Sequence, residues 1–125
     1  MKERIRKHTV SFRNAFGGLF YALKTQPNFQ IHFLLSFIAV LVGSLIEITR
    51  TEMIVIILMI IIGLITEMLN TAIESVTDLI TTEWRKEAKI AKDVSAGMML
   101  LTAIGACVIA GIIFLPYIVN FLTKV

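Results

Sequence analysis

Cysteine occurs once in this 125-residue chain, at Cys107, so no disulfide can form within it and cysteine usage says nothing about redox compartment. Proline occurs only at Pro27 and Pro116. Charge is missing from three long blocks, residues 25–46, 53–66 and 94–123, which contain no Asp, Glu, Lys or Arg. There is no Gly-x-x-x-x-Gly-Lys-Ser/Thr loop, no Gly-x-Gly-x-x-Gly turn, no Cys/His metal spacing and no serine triad. Internal repeats and low-complexity tracts are absent as well. A cleaved signal peptide is not expected, because the first apolar run begins late, contains His32 and three amides, and lacks a small-residue cleavage pattern.

What is present is apolar. The hydrophobic share is 57% and the mean hydropathy +0.84, too high for a soluble domain of this length. A bilayer core needs about 20 apolar residues per helix at ~1.5 Å rise. The first and third blocks suffice alone, and the second spans if Glu67 and Asn70 are tolerated at its end. The expected fold is a single-domain, all-α membrane protein. It has an N-terminal amphipathic surface helix (1–25), transmembrane helices at 28–47, 52–80 and 88–121, and a loop at 81–87.

The net charge of +3 is unevenly placed. Lys2, Arg4, Arg6, Lys7, Arg13 and Lys24 precede the first span, and Arg85, Lys86, Lys89 and Lys92 lie between the second and third. Arg50 and Lys124 stand alone on the opposite side. The positive-inside rule puts the N-terminus and the 81–92 segment in the cytoplasm of a multi-pass protein. Because the basic patches abut apolar spans, anionic lipid headgroups are the expected partner and nucleic acid is not.

Within the first 25 residues, Phe12, Phe16, Leu19, Phe20 and Leu23 recur at helical spacing among Arg6, Arg13 and Asn14. This suits a helix lying in the membrane interface, either as a plain anchor or as part of a substrate entry. Pro27 fits a helix start, and Thr49-x-x-Glu52 matches a capping box for the second span. His32 reads either as an interfacial hydrogen-bonder or as a site residue. Pro116 and Tyr117 mark the outer end of the third span. Its alanines and glycines, such as Ala106 and Ala110, serve close packing.

The chemistry concentrates on one helix face. Glu67, Asn70, Glu74 and Asp78 follow at steps of three, four and four, which aligns them at 3.6 residues per turn. A carboxylate at the hydrocarbon edge is costly and hence a functional candidate, and desolvation there suits a general base. Carboxylates with an amide are hard oxygen ligands for Mg²⁺, which shares its sites with phosphate. Lys92, near a helix start, suits phosphate. Together these are the parts of phosphoryl transfer. The bland alternative is that the charges solvate two helix ends, and it weighs most for Asp78 and Glu83.

The stretch Glu67-Met-Leu-Asn70-Thr-Ala-Ile-Glu74-Ser-Val-Thr-Asp78, followed by Ala88-Lys-Ile-Ala-Lys92-Asp93-Val-Ser-Ala-Gly97, resembles the prokaryotic diacylglycerol kinase/undecaprenol kinase family. The resemblance covers nearly the whole chain. It implies a bacterial cell-membrane enzyme, a homotrimer with shared sites, that phosphorylates a lipid alcohol with Mg²⁺ and ATP. It assigns Glu67 as catalytic base and Asn70 as its polar partner, both at the lipid substrate. Glu74 becomes a Mg²⁺ ligand at the nucleotide, Lys92 and Asp93 nucleotide contacts, and Glu83, Trp84 and Arg85 a loop touching ATP. Arg85 stands where the family usually has histidine. Gln26 stands where it usually has a glutamate as second metal ligand, and an amide can ligate through oxygen without adding charge. The 28–32 segment resembles the Gram-positive branch, which favours undecaprenol over diacylglycerol. Two readings of other classes remain open on the residues alone: a small ion- or proton-coupled transporter using Glu67, and a non-catalytic membrane subunit.

Overall fold

The computed structural model describes the backbone of residues 2–123 and the side chains of residues 11–123. The side chains of Lys2, Arg4, Arg6 and Lys7, and all of Lys124, lie outside the described residues. Among the described residues every regular element is helical: α1 (Lys2–Thr25), α2 (Pro27–Leu45), α3 (Arg50–Ile80) and α4 (Lys86–Thr123). The last three are long and apolar enough to cross a membrane. At ~1.5 Å per residue the 31 residues of α3 extend about 46 Å, well beyond a hydrocarbon core of about 30 Å.

The joint between α1 and α2 follows from Pro27. A residue before proline is driven from the helical region, and Gln26 is extended at φ −105°, ψ 105° while Pro27 occupies the first turn of α2. The Gln30 Nε2 donates to the Leu23 carbonyl at 2.9 Å, strapping the two helices together. Buried Ala22 and Phe29 lie on either side of the bend. Phe12, Phe16 and Phe20 are exposed, as an interfacial helix requires.

The α2–α3 turn is tight because three local devices cooperate. Ile48 N–H donates to the Gly43 carbonyl at 3.0 Å and Glu47 N–H to that of Ser44 at 3.4 Å. This is the paired ending of a Schellman motif. It needs a left-handed residue, and Glu47 supplies it at φ 54°. Ile48 then folds back over Gly43, where a Cβ would stand 2.9 Å from the Ile48 Cδ1, so a larger residue would force the Ile48 side chain to shift. The Thr49–Glu52 capping box is formed in both directions, and it starts α3 at Arg50.

Helices α3 and α4 are antiparallel neighbours, joined near their two ends. Tyr117 Oη donates to Glu52 Oε2 at 2.8 Å and Lys92 Nζ to Asp78 Oδ1 at 2.6 Å. Between them Thr66 and Thr102 face each other at 3.5 Å, each donating its hydroxyl proton within its own helix, to the Ile62 and Met98 carbonyls. At the turn end the filling is apolar: buried Ile48, Ile56 and Ile113, with Met53, Ile109 and Phe114 packed against them. Helix α4 runs through Pro116 and Tyr117 to Thr123. The apolar residues after Pro116 keep their own backbone bonds satisfied by remaining helical, which hydrocarbon demands more strongly than water does.

A left-handed backbone costs a non-glycine residue about 1–2 kcal/mol. Glu47→Gly is therefore expected to stabilise the protein by about 1 kcal/mol, measured as a raised unfolding midpoint in detergent micelles. An unchanged or lowered midpoint would contradict the strained turn.

Candidate active site

The two largest fully buried side chains are both polar: Glu67 on α3, 2% exposed, and Ser95 on α4, 0% exposed. Asn70 and Thr71, one turn along α3, are buried with them. Ser95 is small and closes its own hydrogen bond to the Lys92 carbonyl at 2.9 Å. It therefore lets the two helices approach without demanding anything from Glu67.

The hydrogen bonds around Glu67 pass it by. Thr71 Oγ1 donates to the Glu67 backbone carbonyl at 3.0 Å. Asn70 Nδ2 donates to Glu74 Oε1 at 3.1 Å. Glu67 Oε2 and Asn70 Oδ1 are left buried with no partner. Each such atom costs about 1–3 kcal/mol, and groups of this kind gather where a site has a task other than stability.

Nearer the α3–α4 loop lies a hollow of about 350 Å³ lined by Asp78, Glu83, Trp84, Arg85, Lys89, Lys92 and Asp93, among others. Its charges are paired internally. Arg85 bonds Glu83 at 3.1 Å, Lys92 bonds Asp78 at 2.6 Å, and Lys89 bonds Asp93. All six side chains are more than a third exposed, so these pairs are weak and exchangeable. A polyphosphate can displace the carboxylates from Arg85, Lys89 and Lys92 at little cost.

The structure thus brings Glu83, Trp84, Arg85, Lys92 and Asp93 to one hollow, and Glu67, Asn70 and Glu74 to one face at the α3–α4 contact. Lys92 and Asp93 take different partners, Asp78 and Lys89. Gln26 is half buried at the α1–α2 joint, where its side chain caps nothing. Among the described residues no three His, Cys, Asp or Glu side chains gather into a preformed metal cage. The donors present still suit Mg²⁺ shared with phosphate, a role for which one or two carboxylates are enough. Asn70 Oδ1 is a hard, unpaired oxygen beside the Glu74 carboxylate.

Sequence reasoning passed over Ser95 and left His32 undecided. Ser95 could have been found from the register, since it lies one turn beyond Lys92 on α4, on the side that meets α3. His32 carried a weaker signal, namely its depth in the first span.

A three-span helical protein with an unserved carboxylate and amide next to a charged interfacial hollow is a small integral membrane enzyme. The chain belongs to the prokaryotic diacylglycerol kinase family, whose model matches residues 13–114. It is 40% identical over 114 residues to a diacylglycerol kinase of Synechocystis sp., a match covering 90% of this chain and 65% of that protein. It is 36% identical over 115 residues to an undecaprenol kinase of Bacillus subtilis, covering 92% of this chain and 94% of the relative.

Proposed function

We propose that this protein is a lipid kinase transferring the γ-phosphoryl group of ATP to a membrane lipid alcohol, with undecaprenol as the acceptor and undecaprenyl phosphate as the product. The observation that carries the reading is the order of groups along α3: a buried carboxylate first, then an amide–carboxylate pair, then a charged, solvent-open hollow. From Glu67 to Asp78 the helix rises about 16 Å. A lipid hydroxyl held at the headgroup boundary and a water-soluble nucleotide would meet between those ends. The preference for undecaprenol is supported by the near full-length match to the Bacillus subtilis protein. Diacylglycerol is the alternative acceptor, supported by the Synechocystis relative.

In this mechanism Glu67 takes the proton of the lipid hydroxyl as the oxygen attacks the γ-phosphorus. The new O–P bond forms, the bond to the bridging oxygen of ATP breaks, and ADP leaves. Lys92, released from Asp78, and Arg85, released from Glu83, neutralise the phosphates, while Trp84 and Asp93 hold the nucleoside. Asn70 and Glu74 would hold Mg²⁺, with Gln26 as a neutral oxygen donor. The ion would supply charge neutralisation and alignment of the phosphates. The N-terminus and the α3–α4 loop face the cytoplasm, where ATP is, in keeping with the distribution of lysine and arginine. A homotrimer with shared sites, as implied for the family, would cover the apolar faces that α4 leaves exposed.

The test is phosphorylation of a panel of undecaprenol, diacylglycerol and ceramide in mixed micelles with Mg-ATP. Radiolabel is expected in undecaprenyl phosphate, whereas label in phosphatidic acid would transfer the assignment to diacylglycerol. Flux through proteoliposomes without ATP would replace the kinase by a transporter. Glu67→Gln is expected to lower lipid-dependent turnover by about 10²-fold or more while the protein still folds and inserts. Near-normal turnover would refute the base. Gln26→Glu adds a charge at the metal and is expected to lower the Mg²⁺ concentration giving half-maximal rate, and no change would remove Gln26 from the site.

A further inference from the structure

We infer that His32 is a positioning residue for the base, its imidazole N–H donating to the carboxylate oxygen of Glu67 that nothing else serves. The inference rests on the kinase reading and deepens it. It starts from the donors near Glu67. Thr71 is turned to a backbone carbonyl, Asn70 to Glu74, and Ser95 to the Lys92 carbonyl. Glu67 Oε2 is nonetheless buried and without a partner. Neither α3 nor α4 therefore completes the carboxylate, and the remaining neighbour is α2.

The hairpin register brings His32 to the right height. Gly43 of α2 meets Met53 of α3 across the turn. Counting back along α2 from residue 43 to 32, and forward along α3 from 53 to 64, places His32 level with Leu64. Glu67 lies about 4.5 Å further along its helix, less than one turn. His32 is half buried. Its ring does not reach Glu67 Oε2 in this arrangement, so the bond requires one of the two side chains to turn. Glu74 is an acceptor and cannot fill the role. The described hydrogen bonds engage the His32 backbone carbonyl, through Ser36 Oγ at 2.7 Å, and leave the ring uncommitted.

The chemical consequence is directional. A carboxylate with one oxygen fixed by a donor presents the other along a single line, so the acceptor hydroxyl meets an oriented base. Without the donor, the group rotates about its last bond and the reactive geometry is sampled rarely.

The experiment compares wild type, His32→Leu, His32→Gln, Glu67→Gln and the double variant His32→Leu/Glu67→Gln, each assayed with undecaprenol and Mg-ATP. His32→Leu is expected to lower kcat by about 10²-fold, the scale of misplacing a reacting group, with the KM for ATP unchanged. His32→Gln, which keeps an N–H donor, is expected to recover most of that loss. The double variant is expected to be no slower than Glu67→Gln alone, because the two residues act as one unit. Full activity in His32→Leu, equal loss in the Leu and Gln variants, or losses that multiply in the double variant would overturn the inference and leave His32 an interfacial hydrogen-bonder. Thermal unfolding of the same proteins needs no substrate and separates the two ideas. Non-additive midpoints in a protein silent toward every lipid alcohol would keep the pair and sink the kinase reading. Additive midpoints in an active kinase would sink the pair alone.

Discussion

Keeping a carboxylate out of water inside a thin helical bundle is the constraint on which the rest of this structure depends. Glu67 is nearly inaccessible although the chain has few buried residues, and its burial exists only because α3 and α4 stay in register along their length. At the turn end the two helices are joined by the Tyr117–Glu52 hydrogen bond, whereas the Asp78–Lys92 pair at the other end is exposed and exchangeable. In hydrocarbon, apolar packing alone distinguishes poorly between sliding positions, because lipid tails are as apolar as leucine. Polar cross-links resist sliding because each has one partner at one level.

The two ends of the bundle are built differently, in keeping with different demands. At the α2–α3 turn, isoleucines fill the interior and a strained, tightly bonded turn closes it. At the α3–α4 loop, exposed ion pairs surround an open hollow and are easily rearranged. Rigidity at one end and exchangeable charge at the other suit the proposed division of the site, with a base held still while a large anion enters and leaves.

Much of this was legible in the sequence, for identifiable reasons. Charge-free blocks mark helices because a membrane permits few other structures. The common face of Glu67, Asn70, Glu74 and Asp78 follows from helical periodicity, and the Thr49–Glu52 cap and the Pro27 start are local rules that need no tertiary information. What stayed hidden depends on the rotation of one helix against another. Periodicity places Lys92 on a face of α4 but not against Asp78, and it does not direct Asp93 to Lys89. The burial of Ser95 belongs to the same category.

The left-handed Glu47 has an implication for how the molecule sits in the bilayer. A glycine would relieve the backbone there, yet it would leave the hairpin tip with only Arg50 and Glu52 as ionic groups nearby. A fixed carboxylate at the apex acts as a float, since drawing it into oil costs several kcal/mol. On the topology proposed above, a charged tip at one end of the 31-residue α3 and a charged loop at the other would bracket the length of rod that oil can cover.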